Sequence, residues 1–346
     1  MKETVRGNYA YLDVLRVLSA FLVVMVHNSA CFHKMNTVSL GTWLHADYLE
    51  SFATICVPLF FMISGALLLK KDIEPLTFYK KRLQRIIIPT LAWSLIYIGS
   101  RTYPEFNPND VFSSIFMSLL REEHYHLWYM YALFGAYICI PFMSRLLSGS
   151  DFPGVRLLVL FTALWYLFCS VFPTANNVSK QVFDIPVEPN FRLSFFQDAL
   201  GYIALGALLN RAPLHIRYRN VALVCLLVGY GVVVWGNYWA KSEMGTQTML
   251  FGYYNPFVVI IACATFYLFR YTLNSKKSGK MLQFLASLTL GIYLCHPLVM
   301  TQLLRIELMR ELYSSNFIVL RTLVTFLISG VLTYVIMKMP VVRRIV

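Results

Sequence analysis

Apolar residues recur along the chain in runs of about 20, separated by short polar or charged stretches. A helix rises about 1.5 Å per residue, so one such run matches the hydrocarbon thickness of a bilayer. Ten spans are predicted, at about 10–32, 48–69, 83–101, 127–147, 155–173, 195–211, 219–239, 251–271, 282–303 and 317–338. The sixth is short, and the break between the fourth and fifth is weakly marked. Backbone groups in lipid must be satisfied internally, which leaves helices or a closed barrel. Runs such as FIVLRTLVTFLISGVLTYVI at 317–336 lack the alternation of barrel strands. The expectation is an all-α, polytopic membrane bundle of about ten helices, in a single domain over 1–346.

Composition agrees: 58% of residues are hydrophobic, 14% are charged, and the mean hydropathy is +0.59. A net charge of +13 raises the question of nucleic acid, and the placement of the charges answers it. With a cytoplasmic N-terminus, most of the 30 basic residues fall in inner segments, among them Lys2, Arg6, the group from Lys70 to Arg85, Lys276, Lys277, Arg343 and Arg344. Acidic residues such as Glu105, Glu122 and Glu123 lean the other way. This is the positive-inside pattern, and it requires no nucleic acid. Ten spans return the C-terminus to the inner side, so both termini and the 70–82 loop are expected in the cytoplasm, with 103–124 and 174–192 outside.

The seven cysteines form no CxxC or Cys/His ligand spacing, so neither zinc nor a disulfide framework is indicated. No helix offers HExxH, and no metal is expected. Asp13 and Arg16 interrupt the first apolar run, which does not read as a signal peptide. NSAC at 28–31 departs from a lipoprotein box, because Asn28 stands where Leu is usual.

That first span, LDVLRVLSAFLVVMVHNSA at 12–30, carries the candidate chemistry. At about 100° per residue, Arg16 and His27, eleven positions apart, differ by only about 20° around the helix. Asp13 falls on the same side. A stripe of ionisable groups at membrane depth is costly and should face the bundle interior or a water-filled passage. An Asp13–Arg16 pair with a structurally satisfied histidine is the plain alternative. Further polar groups gather toward the outer leaflet, however: His124, His126 and Trp128 where the fourth span begins, and Tyr293 with His296 in the ninth. On the inner side, KKRLQRIIIP sets Arg82 and Arg85 one turn apart, able to hold a phosphate together or simply to anchor the span. Pro89 loosens the helix a turn later.

In order, these residues resemble the membrane acyltransferase family 3. Arg16 and His27 fit its Arg-x10-His, and VPLFFMISGALLL at 57–69, with Ser64 and Gly65, is similar to its second-helix signature. Arg82-Leu-Gln-Arg85 fits its RxxR, HLWYM at 126–130 its His-Leu-Trp segment, and GIYLCHP at 291–297 its late Tyr-x-x-His. That last motif reads YLCH where YLLH or YLIH is commoner. The resemblance covers nearly the whole chain and implies a stand-alone member without a fused esterase domain. It implies transfer of an acyl group, most often acetyl, from cytoplasmic acyl-CoA to a hydroxyl of an extracytoplasmic or lipid-linked glycan at a bacterial inner membrane. On that reading Arg82 and Arg85 bind the acetyl-CoA phosphates, and His27, served by Arg16 and Asp13, is catalytic as general base or acyl carrier. His126, Trp128, Tyr293 and His296 bind the acceptor or orient the acyl carbonyl. A proton-coupled exporter of a glycan or lipid-linked sugar is the competing class, but the repeat symmetry common among transporters is not evident in the sequence. The sequence leaves the acceptor, the acyl group and the oligomeric state open.

Overall fold

The computed structural model describes residues 9–34, 38–69, 73–102, 122–146, 153–183, 199–245, 250, 252–307, 317–340 and 342–346. Among these lie twelve α-helices: α1 (Ala10–Lys34), α2 (Leu40–Ala53), α3 (Cys56–Leu68), α4 (Pro75–Thr102), α5 (Trp128–Leu146), α6 (Pro153–Tyr166), α7 (Phe172–Phe183), α8 (Leu200–Arg211), α9 (Ile216–Met244), α10 (Pro256–Leu273), α11 (Lys280–Leu303) and α12 (Ile318–Lys338). No strand occurs among the described residues, apart from an isolated bridge between Tyr9 and Lys277. The expected all-α architecture is present.

Seven helical stretches are long and apolar enough to cross a membrane: Ala10–Phe32, Leu40–Leu68, Gly154–Lys180, Ile216–Glu243, Pro256–Leu273, Lys280–Leu303 and Ile318–Lys338. They answer seven of the ten predicted spans. The other three also fold as helices, but α4 carries Lys80, Lys81, Arg82 and Arg85 in its first half, α5 interleaves Tyr129, Tyr131 and Tyr137 with its apolar residues, and α8 has 12 residues. The structure thus supports a multi-pass membrane protein with seven clear spans.

Two predicted spans differ in shape, and proline explains both. The second is divided at Thr54–Ile55 into α2 and α3. Pro58 has no N–H to give the Thr54 carbonyl, and its ring crowds that carbonyl. The fifth runs beyond its expected end at 173, as a π-turn (Leu167–Val171) leads into α7. Pro173 sits in the first turn of α7, where a missing N–H is tolerated, so the helix continues.

Helix α1 is central, packing against α2, α3, α10, α11 and α12. Leu15, Ala20 and Val24 on it are fully buried. Its first turn is tied down from several sides. Ala10 N donates to the Lys276 carbonyl at 3.2 Å, and the Tyr11 hydroxyl donates to Asn210 Oδ1 at 2.5 Å. Asn210 in turn donates to the Ala66 carbonyl, and Arg270 donates to the Leu209 and Ala212 carbonyls at the C-terminus of α8, where orphan acceptors favour a cation. One end of α1, α3, α8 and α10 is therefore locked by polar contacts that lipid would make expensive to break.

The tightest crossing joins α3 to α8. A Cβ on Gly65 would overlap the Ile203 carbonyl, and one on Gly206 would overlap the Met62 carbonyl. The two glycines let the backbones touch reciprocally, as small residues do between membrane helices. This crossing sets the depth of Ser64, the residue before Gly65.

Candidate functional site

The stripe on α1 begins with an ion pair. Arg16 Nη1 lies 2.5 Å from Asp13 Oδ1, and Ser278 Oγ donates to Asp13 Oδ2 at 2.7 Å. Asp13 is buried, so both its oxygens are matched by donors, as burial demands. Arg16 keeps 31% of its side chain exposed and faces a cavity.

That cavity has a volume of about 240 Å³. Arg16 of α1 meets Arg82, Arg85 and Ile86 of α4 there, together with Phe60, Ser64 and Leu67 of α3, Tyr129, Leu133 and Tyr137 of α5, and Leu290 and Tyr293 of α11. Tyr137 bonds to Ser64 and lies within electrostatic reach of all three arginines. Three guanidinium groups around one cavity, over walls that mix aliphatic side chains with Ser64 and tyrosines, make a receptor for an anion with a slender apolar or amide arm. Arg85 is exposed and Arg82 half-buried, which puts the charged mouth at the surface. Pro89 removes the N–H that would have bonded the Arg85 carbonyl.

At the other end stands Tyr293, whose hydroxyl donates to the His126 carbonyl. Beyond it four imidazoles are gathered. The rings of His27 and His296 stack with centroids 5.2 Å apart and planes 23° apart. His126 meets His296 edge-on at 5.4 Å, and His124 Nδ1 is 2.9 Å from His126 Nδ1. The tautomers follow from the partners, because a carbonyl can only accept. His126 Nε2 faces the Leu294 carbonyl at 3.3 Å and so carries hydrogen, which makes its Nδ1 the acceptor for His124. His296 Nδ1 lies 2.7 Å from the Tyr293 carbonyl and 3.2 Å from that of Ile292, so its hydrogen is on Nδ1.

The source of that last bond is local. Pro297 has no N–H to give the carbonyl four residues back, which belongs to Tyr293. The His296 ring fills the vacancy, and its Nε2 points elsewhere. His124 lies before α5; burial pushes its pKa down, and nearby Arg101 adds to the effect.

The sequence-predicted residues therefore fall into two linked groups. Arg16, Arg82, Arg85 and Tyr293 share the cavity, while His27, His126 and His296 form the imidazole cluster above Tyr293. Asp13 touches neither directly and acts through Arg16. Trp128 is set apart, its ring 5.5 Å from that of Tyr253. Sequence reading missed Tyr125, Tyr129 and Tyr137. Tyr125 is 54% exposed, with its ring 4.9 Å edge-on from His27, and tilts over His124 at 4.4 Å. The spacing of Tyr129, Leu133 and Tyr137 at i, i+4 and i+8 could have flagged one helix face.

A family model described as an acyltransferase domain, acyltransferase family 3, matches residues 9–337. No curated protein and no solved structure matches the chain.

Proposed function

Because the chain belongs to acyltransferase family 3, we propose that it moves an acyl group, in the first instance acetyl, from cytoplasmic acyl-CoA to a hydroxyl of an extracytoplasmic or lipid-linked glycan in a bacterial inner membrane. One observation carries this reading. A single cavity is lined by Arg16, Arg82, Arg85 and Tyr293, and the Tyr293 hydroxyl is bonded to the carbonyl of His126, beside the stacked His27 and His296.

Such a layout suits a donor with a polyanionic head and a long arm. Arg82 and Arg85 grip phosphate oxygens, since guanidinium matches phosphate bidentately. Arg16, held by Asp13, offers a third cation deeper in the cavity, and the arm runs along α3 and α5 toward Tyr293. His27 is the reacting imidazole at the far end. It takes the acceptor's proton, or it takes the acyl group itself. The acceptor oxygen forms the new ester bond, the C–S bond breaks toward sulfur, and the thiol form of CoA leaves with the proton.

The decisive experiment uses purified protein in lipid nanodiscs with acetyl-CoA labelled in the acetyl group. Release of CoA, or transfer of label to a glycan-containing membrane fraction, supports the reading, and His27→Ala should abolish either. A protein that neither binds nor consumes acetyl-CoA would instead favour a transport role.

A further inference from the structure

We infer that His296 is a catalytic residue of the proposed transfer, its Nε2 taking the proton from the acceptor hydroxyl. The inference rests on the acyltransfer reading above and divides its chemistry between two histidines.

The geometry assigns the atom. His296 is fully buried, and its Nδ1 is committed as donor to the Tyr293 carbonyl that Pro297 leaves open. A neutral imidazole with hydrogen on Nδ1 carries a lone pair on Nε2. That Nε2 has no hydrogen-bond partner among the described residues. A buried, unmatched acceptor is costly, so such an atom calls for a use. Its neighbours offer no relief: His126 spends its own Nε2 hydrogen on Leu294, and the Tyr97 hydroxyl goes to that same carbonyl. The His27 ring lies flat against His296, and stacked rings do not share an in-plane hydrogen bond. The missing donor is therefore a group that enters between these residues, and a substrate hydroxyl supplies one.

The step balances. As the acceptor oxygen bonds to the acyl carbon, its proton passes to His296 Nε2. The C–S bond breaks, its electron pair goes to sulfur, and the imidazolium returns the proton to the departing thiolate. With His296 as the base of a direct transfer, His27 gives up both roles offered for it above and instead holds the acyl carbonyl oxygen. Fixing the Nδ1 hydrogen on a backbone carbonyl keeps the basic lone pair on one nitrogen throughout.

His296→Asn separates this role from a structural one. An asparagine amide can still donate to the Tyr293 carbonyl from near the Nδ1 position, but it offers no basic nitrogen at Nε2. Two probes with acetyl-CoA make the distinction: water, which must lose a proton to attack, and hydroxylamine, which attacks as the neutral amine without needing a base. The expected result is a fall of 100-fold or more in hydrolysis, within the usual range for a general base, with hydroxylaminolysis retained within a few-fold. Hydrolysis at the wild-type rate would overturn the assignment. Equal loss of both activities would also overturn it, reducing His296 to a scaffold. Wild-type protein that neither binds acetyl-CoA nor passes its label to the glycan fraction would refute the acyltransfer reading itself, a separate outcome. Circular dichroism and CoA binding by the variant confirm that it is folded.

Discussion

Arg16 and Asp13 form an ion pair one turn apart on α1, and Ser278 from the end of the α10–α11 segment closes the second carboxylate oxygen. Removing the guanidinium leaves Asp13 buried with only the serine. Because Arg16 is 31% exposed, the loss should be smaller than the ~3–5 kcal/mol typical of breaking a fully buried pair. Arg16→Ala should lower the thermal midpoint in detergent and weaken CoA binding together. Asp13→Asn should weaken CoA binding less, since the cation stays. Equal effects on binding would show that the pair, and not the cation, is what the cavity needs.

Replacing Arg82 and Arg85 by lysine keeps the charge and removes the planar fork. Acetyl-CoA affinity should fall tenfold or more, about 1.4 kcal/mol. Unchanged affinity by calorimetry would return both residues to simple anchoring.

Gly65→Ala drives a Cβ into the Ile203 carbonyl, and Gly206→Ala into that of Met62. Neither neighbour is a flexible side chain, so the helices must part, at a cost of about 1–3 kcal/mol. Ser64 moves with α3, so acetyl-CoA binding should drop as well. Gly135→Ala is the matched control, with nothing within 4 Å of the new Cβ. It should be neutral or stabilising by up to about 1 kcal/mol. A control as damaging as the crossing variants would remove the close-approach explanation.

Topology has its own test. Lys277 and Glu122 are both exposed, and the charge pattern puts them on opposite sides. In a cysteine-free background on intact cells, Glu122→Cys should react with an impermeant maleimide and Lys277→Cys should not. The reverse pattern would turn the protein over and leave Arg82 and Arg85 facing away from cytoplasmic CoA.

How far the sequence anticipates this geometry depends on the range of the interaction. The Asp13–Arg16 pair was legible, since three residues on a helix fix a shared face. So was the proximity of Arg82 to Arg85. Contacts between distant segments were not. Nothing in the chain's local pattern says that His27 and His296, 269 positions apart, stack ring on ring. Nor does it place Trp128 beside Tyr253 while its neighbour His126 joins the imidazole cluster. Helix breaks behaved similarly: Pro58 divides a span, while Pro173 does not, because a π-turn precedes it. The hydropathy of those runs is blind to that difference.

The twelve residues from Arg16 to His27 lie on one unbroken helix, which makes α1 a ruler. Its two marks are about 16 Å apart along the axis, and the rigid backbone fixes that interval. Adding a single residue between them would lengthen the interval by only about 1.5 Å, yet would swing one mark by about 100° away from the other. A chain built on this plan can therefore vary widely in its walls and loops while the count between those two side chains stays fixed. On the proposed acyl-CoA reading, donors would be selected by arm length: a thioester carried on a much shorter tether could occupy the arginines or reach the imidazoles, but not both at once.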